Sequence, residues 1–410
     1  MDRSMTLVLP RTSRRGLLLS GGAAFSAAYL PKIARAGGAT DKRLIVIVLR
    51  GALDGLSAVA PVGDPDYVRL HGALALSTGG PNPALALDPF FALNPGMPVF
   101  ARMFRERQAA IVHAVATAYR DRSHFDGQDV LESGFAGPGH TSSGWLNRAI
   151  AELPKGDRAA LKGGLGVGAV TPLIMRGGAP VVGWAPTGLP QAADDLATRL
   201  MDLYRQTDPA LATSLAQGLG IEKIAAREMG EARPQGGNEA QLMRRVAEGV
   251  ARLLAPEDGP RIAALAIDGW DTHANEGGGG GRLAMLLGGL DGAFEAFQQT
   301  LGAAWAGTTI VAITEFGRTA RINGTVGTDH GTGTVAFLAG GAVKGGRVIA
   351  DWPGLSDANL WQNRDLRATT DLRAVLKGVL ADQFGLSAAA LGARVFPDSS
   401  GVAPMKGLIV

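Results

Sequence analysis

The sequence predicts an α/β body built on a mainly parallel sheet with helices on both faces. Apolar runs rich in β-branched residues, such as Leu44 to Leu49 (LIVIVL), are continuous rather than alternating, the pattern of strands buried on both faces. Stretches of helical period separate these runs, and strands that alternate with helices build parallel sheets. Polar clusters follow the runs, and in such sheets ligands gather at the carboxyl ends of strands.

In chain order the predicted strands are Leu44 to Leu49, Ala109 to Val115, Ile262 to Ile267, Thr309 to Ile313 and Val335 to Leu338. Helical spacing runs over Phe100 to Arg107, Asp194 to Tyr204, Glu239 to Leu254, Leu283 to Leu301 and Asp371 to Phe384, where Asp371 is placed to cap. Residues 155 to 240 differ, with Gly- and Pro-rich short apolar pieces before a polar helical stretch. They read as an insertion in, or cap over, a single domain of residues 37–410.

The 40 Lys and Arg exceed the 37 Asp and Glu by three, but the excess sits at one end. Residues 1 to 36 hold six basic groups and one acid, leaving 34 basic and 36 acidic residues in the other 374. A body of net charge −2 lacks the basic excess that phosphate-backbone binding needs, which argues against a nucleic-acid partner. There is no Cys, so disulfides, thiol nucleophiles and thiolate metal sites are all excluded. Any metal must be held by His and carboxylates.

The first 36 residues read as a twin-arginine signal peptide. Arg14-Arg15 precedes an uncharged stretch from Gly16 to Leu30, followed by the small-x-small triplet Ala34-Arg35-Ala36. The expected partner is the twin-arginine export machinery, and the expected location periplasmic or otherwise exported. No later segment reads as a membrane span, so the mature protein is expected to have none.

Each predicted strand runs into groups suited to a metal or phosphoryl site. Arg50 to Gly55 contains Asp54, which also suits a turn. Ser123-His124-Phe125-Asp126 opens a helical stretch, so Ser123 suits both an N-cap and a nucleophile. Asp268 and the Asp271-Thr272-His273 pair follow the third run, and an extended backbone points Asp271 and His273 to one side. Glu315 and Arg318 follow the fourth and also suit a surface ion pair, while Asp329-His330 lies between glycine-rich turns. His71, His113 and His140 have no acidic motif around them and read as structural, His113 as a core histidine.

Ala-Leu-Asp-Gly-Leu (52 to 56), Ser-His-Phe-Asp-Gly-Gln-Asp (123 to 129), Asp-x-His (271 to 273), Thr-Glu-Phe-Gly-Arg-Thr (314 to 319) and Asn-Gly-x-x-Gly-Thr-Asp-His-Gly (323 to 331) resemble a bacterial family called domain of unknown function 1501. That family is placed near the alkaline phosphatase and sulfatase superfamily. The resemblance implies an alkaline-phosphatase-like fold with divalent metals (Zn, Mn or Mg) at the sheet edge. By the same resemblance Asp54, Asp268, Asp271, His273, Glu315, Asp329 and His330 are metal-ligand candidates, and Ser123 the nucleophile. His124, adjacent to Ser123, is a substrate or supporting contact, and Arg122 or Arg318 a clamp for anionic ester oxygens. Glu315-Phe316 stands where the superfamily has an Asp-His pair, which leaves a second metal one ligand short. With no Cys and no Pro two residues after Ser123, the formylglycine route is excluded.

Two functions follow. One is an exported metal-dependent hydrolase of small phosphate or sulfate esters with a serine nucleophile. The alternative is a non-catalytic binding or assembly protein of the cell envelope on the same scaffold.

Overall fold

Because β1 (Arg43–Leu49) is apolar at every position after Arg43, it can be buried only as a central strand, and that is where it lies. The computed structural model describes residues 41–154, 156–157, 159, 163–168, 170–185, 215–216 and 239–410. The signal segment and the helix predicted at 194–204 fall outside the described residues.

After β1 the strands are β2 (Val59–Ala60), β3 (Leu85–Ala86), β4 (Ala92–Leu93), β5 (Ala109–Ala116), β6 (Gly164–Val167), β7 (Val181–Trp184), β8 (Ile262–Ile267), β9 (Thr308–Ile313), β10 (Thr334–Ala339), β11 (Arg347–Ile349) and β12 (Thr370–Asp371). The helices that build the layers and the site are α1 (Gly55–Ala58), α2 (Pro98–Arg105), α3 (His124–Ser133), α4 (Trp145–Glu152), α5 (Glu239–Leu254), α6 (Arg282–Leu301) and α7 (Leu372–Phe384). The main sheet runs β11-β5-β10-β9-β1-β8-β6-β7, with β12 beside β5, and β2-β4-β3 form a small separate sheet. Within the main sheet every pairing is parallel except those of β10, which is antiparallel to both β5 and β9. The fold is therefore the mainly parallel, helix-covered sheet that the sequence predicts.

Alternate residues of β1 feed two cores. Ile45, Ile47 and Leu49 pack with Phe100 of α2, Val250 of α5 and Phe294 and Phe297 of α6, while Leu44, Val46 and Val48 pack with Trp145 of α4 and Val375 and Leu376 of α7. Each such side chain contributes about 1.5–3 kcal/mol on burial, so the sheet is held from both sides. Asp371 caps α7 by accepting from the Arg373 N–H at 2.8 Å, as its position predicts. Asp291, an acid inside apolar α6, caps a neighbour: its carboxylate accepts from the Val99 and Phe100 N–H groups of α2 at 2.9 and 2.7 Å.

The region read as an insertion or cap over the sheet contributes two strands to the sheet itself. β6 pairs with β8 and β7 with β6, both parallel, which extends the main sheet at its edge. These strands are four residues long, and β6 alternates with glycine (GLGV), so their periodicity is too short to separate a strand from a loop.

Because β1, β5, β8 and β9 run the same way, their carboxyl ends open on one edge. The reversed direction of β10 brings its amino end to that same edge, and the residues before it are Asp329 and His330. Two glycines let the loops close there. A Cβ on Gly51, whose φ is +122°, would sit 2.5 Å from the Asp271 nitrogen, and one on Gly331 would sit 2.2 Å from the Arg318 carbonyl oxygen. Among the described residues no helix is long and apolar enough to cross a membrane.

Candidate metal centre

Three imidazoles meet at this edge, each delivered by a different loop. His124 is the first residue of α3, His273 lies in the loop after β8, and His330 precedes β10, where a backbone bridge to Arg318 fixes it. The His330 Nε2 atom stands 2.9 Å from Nε2 of His124 and 2.9 Å from Nε2 of His273. Asp271 completes the group: its Oδ1 is 3.2 Å from His273 Nε2 and 3.6 Å from His330 Nε2, and its Oδ2 is 3.6 Å from His124 Nε2. Donor atoms of His124, Asp271 and His330 all lie within 4.8 Å of one another.

What faces each Nδ1 decides how the rings are used. Nδ1 of His124 meets Glu315 Oε1 at 2.9 Å, Nδ1 of His330 meets the Arg122 carbonyl at 2.9 Å, and Nδ1 of His273 meets Asp329 Oδ1 at 3.3 Å. An oxygen acceptor at Nδ1 places the proton there and turns the lone pair of the neutral ring outward on Nε2. Arg318 Nη1 stands 3.4 Å from His273 Nε2, while the lone pairs of His124 and His330, facing each other at 2.9 Å, repel unless a proton or a cation lies between them. Metal-bound histidines are held in this way, by a carboxylate or carbonyl on the far nitrogen. Two nitrogens 2.9 Å apart both fall within the Zn–N reach of about 2.0–2.1 Å of a common point. The residues present therefore fit one divalent cation at His124, Asp271 and His330, with His273, 2.9 Å from His330, as a further candidate ligand.

The charges around the rings are arranged to match. Burial pushes the Glu315 carboxyl up, but hydrogen bonds from His124, the Gly51 N–H and the Thr314 hydroxyl carry it below its ordinary value. His124 moves up, chiefly through its hydrogen bond to Glu315, and His330 moves down, through burial and then the charge of His124. Burial also raises Asp271, and the charges of Arg318 and His273 more than offset it, leaving a carboxylate below its usual range.

The other sequence candidates occupy several different places. Arg318 is fully buried, donating from Nη2 to Asp271 Oδ1 at 2.7 Å, so it orients a ligand instead of facing an ester; Arg122, the other clamp candidate, is engaged by Asp365 at 2.8 Å. Glu315 has both oxygens occupied by protein donors and acts through His124. His124, read from the sequence as a substrate or supporting contact, lies among the ligand donors, because the helix start turns its ring toward His330. Asp54 is buried as the cap of α1, its Oδ1 accepting from the Leu56 and Ser57 N–H groups and its Oδ2 from the Ser57 hydroxyl. Asp268 is exposed and lines a separate cleft with Glu239, Leu242 and Val246. No contact joins Asp54 or Asp268 to the histidine group.

Ser123 is at the N-cap of α3 but makes no side-chain cap bond; its neighbour is Tyr119, whose hydroxyl accepts from the Ser123 N–H at 3.3 Å. Of the other histidines, His113 is in the core, donating from Nε2 to the Val59 carbonyl at 2.9 Å, and His71 is buried against Ser57 at 2.7 Å. His140 stacks on Phe135 at the surface. Asn323, which opens the 323 to 331 motif, donates to Asp329 Oδ1 at 3.0 Å, and Glu276, which sequence reasoning did not single out, lies beneath the site. The signal for Glu276 was its place as the acid three residues after the Asp-x-His pair.

The model of the family described as protein of unknown function (DUF1501) matches residues 41–395. The chain belongs to this family. That stretch carries every residue of the histidine group, so the arrangement lies within the family's span. No curated protein matches the chain. Among solved structures it is similar to Ps i-CgsB in complex with k-i-k-neocarrahexaose, at 11% identity and a TM-score of 0.43 over 88% of this chain and 77% of that one. It is also similar to the phosphonate monoester hydrolase of Agrobacterium radiobacter, at 12% identity and a TM-score of 0.33 over 88% and 78% of the two chains.

Proposed function

We propose that this protein is an exported metal-dependent hydrolase of small phosphate or sulfate esters, with Ser123 as its nucleophile. The observation that carries the reading is the convergence of three Nε2 atoms and the Asp271 carboxylate, each Nδ1 already engaged by an oxygen. A bound divalent cation supplies Lewis acidity and neutralises charge on ester oxygens. His124, Asp271, His273 and His330 hold it, Glu315 and Asp329 keep two of the rings in the ligand tautomer, and Arg318 fixes Asp271. Ser123 adjoins His124 at the amino end of α3, where unpaired N–H groups and the helix dipole favour negative charge. Zn or Mn suits this imidazole and carboxylate set best, with Mg the third candidate. Export rests on the Arg14-Arg15 leader.

One observation favours a second reading, a non-catalytic envelope protein that binds or assembles. Asp54 and Glu315 are both consumed by protein donors, which leaves donors for a single cation. The test is turnover of a panel of phosphate monoesters, phosphate diesters and sulfate esters by metal-loaded wild type and Ser123→Ala. Hydrolysis lost in the variant supports the enzyme; no turnover by the loaded wild type makes the binding protein the better reading. Arg14→Lys/Arg15→Lys should stop export, and unchanged export removes the twin-arginine route.

A further inference from the structure

Beneath the histidine group three loops converge on one fully buried carboxyl group, that of Glu276. Its Oε2 accepts from the Thr272 hydroxyl at 3.0 Å and from the Thr328 hydroxyl at 2.8 Å. Thr272 lies between Asp271 and His273; Thr328 is two residues before His330. One oxygen thus ties together the two segments that carry three of the four ligand candidates. Backbone bonds follow the same seam, from Glu276 N–H to the Val326 carbonyl at 3.0 Å and from Thr328 N–H to the Thr272 carbonyl at 3.3 Å. The charge of Asp54, the cap of α1, acts on Glu276 from the loop after β1, and Glu276 Oε1 is buried with no hydrogen-bond partner among the described residues.

We infer that Glu276 is a positioning residue that sets the spacing of Asp271 and His273 against His330 and so tunes metal affinity. The inference rests on the metal centre proposed above. Burial, and then the charge of Asp54, raise the Glu276 carboxyl well above its ordinary value. Its Oε2 accepts both threonine hydroxyls, at 3.0 and 2.8 Å. A Gln side chain has the same shape and keeps an oxygen that accepts both hydroxyls, whereas Ala keeps none. A buried polar group used only for folding needs partners too, so the test must read the metal site as well as stability.

The experiment measures Zn²⁺ affinity by chelator competition and the visible absorption of the Co²⁺-substituted protein. It compares wild type, Glu276→Gln, Glu276→Ala, the pair Thr272→Val/Thr328→Val and the pair Thr272→Ser/Thr328→Ser. Loss of partners that hold metal ligands weakens binding about 10–100-fold. The valine pair should show a loss in that range and a changed Co²⁺ band, while the serine pair and Glu276→Gln stay within about 3-fold of wild type on the same scale. Glu276→Ala should match the valine pair where it folds. Wild-type affinity and an unchanged Co²⁺ band in the valine pair overturn the inference. If instead the wild type binds no Zn²⁺, or His273→Ala binds it as tightly as wild type, the metal centre itself falls and the inference with it.

Discussion

Glu315 Oε1 lies 2.9 Å from Nδ1 of His124, and this contact turns a buried carboxylate into the reason a histidine lone pair faces the centre. The same oxygen accepts from the Gly51 N–H, so the strap after β1 and the start of α3 are fixed by one group.

Glu315→Gln should therefore weaken Zn²⁺ binding about 10-fold or more with the fold intact, because an amide holds the imidazole less firmly than a carboxylate. Chelator competition measures it. Affinity equal to wild type would mean that His124 is not a ligand.

Gly51 has no room for a side chain. Its φ is +122°, and a Cβ would lie 2.5 Å from the Asp271 nitrogen and 2.9 Å from Trp270 backbone atoms. Gly51→Ala should cost about 2 kcal/mol or more in urea unfolding and should also weaken metal binding, because Asp271 must move. A variant as stable as wild type contradicts the close approach.

His113 gives a pH dependence of opposite sign to that of Asp291. Burial pushes the His113 imidazole down to about 4 from the ordinary 6.5. Above pH 6.5 the ring is neutral in both states. Between about 6.5 and 4 the unfolded chain takes up a proton that the folded chain refuses, so stability falls as pH falls, by roughly 3 kcal/mol in all. Burial raises Asp291 to about 6, so its contribution is full below pH 3.8 and is lost as pH rises through 6. The difference between His113→Gln and wild type isolates the first effect. Urea unfolding across this window should show the wild type losing more stability than the variant on acidification, and parallel curves would contradict the assignment.

Much of the fold could be read from the sequence because its central strands are long and uninterrupted. LIVIVL and IAALAI allow only a strand buried on both faces, and the heptad-like spacing of α5 is complete within its own residues. The reversed direction of β10 left no local mark, since a strand carries the same pattern in either direction, yet it brings His330 to the shared edge. The site was legible as residue types near strand ends. Which atoms work was not: Asp54 and His124 both follow strands, but only the tertiary partners of each show that Asp54 caps a helix while His124 joins the ligands. Glu315 was expected as a ligand because an acid after β9 looks alike whether it holds a metal or a histidine.

We propose that one divalent cation is held by His124, Asp271 and His330 together with His273. The most direct test is the metal content, by elemental analysis, of wild type and His273→Ala purified from the native compartment and dialysed alike. The account predicts about one Zn or Mn per wild-type chain and a large loss in the variant. Metal-free wild type that binds no added Zn²⁺ or Mn²⁺, or a His273→Ala variant with full metal, would contradict it.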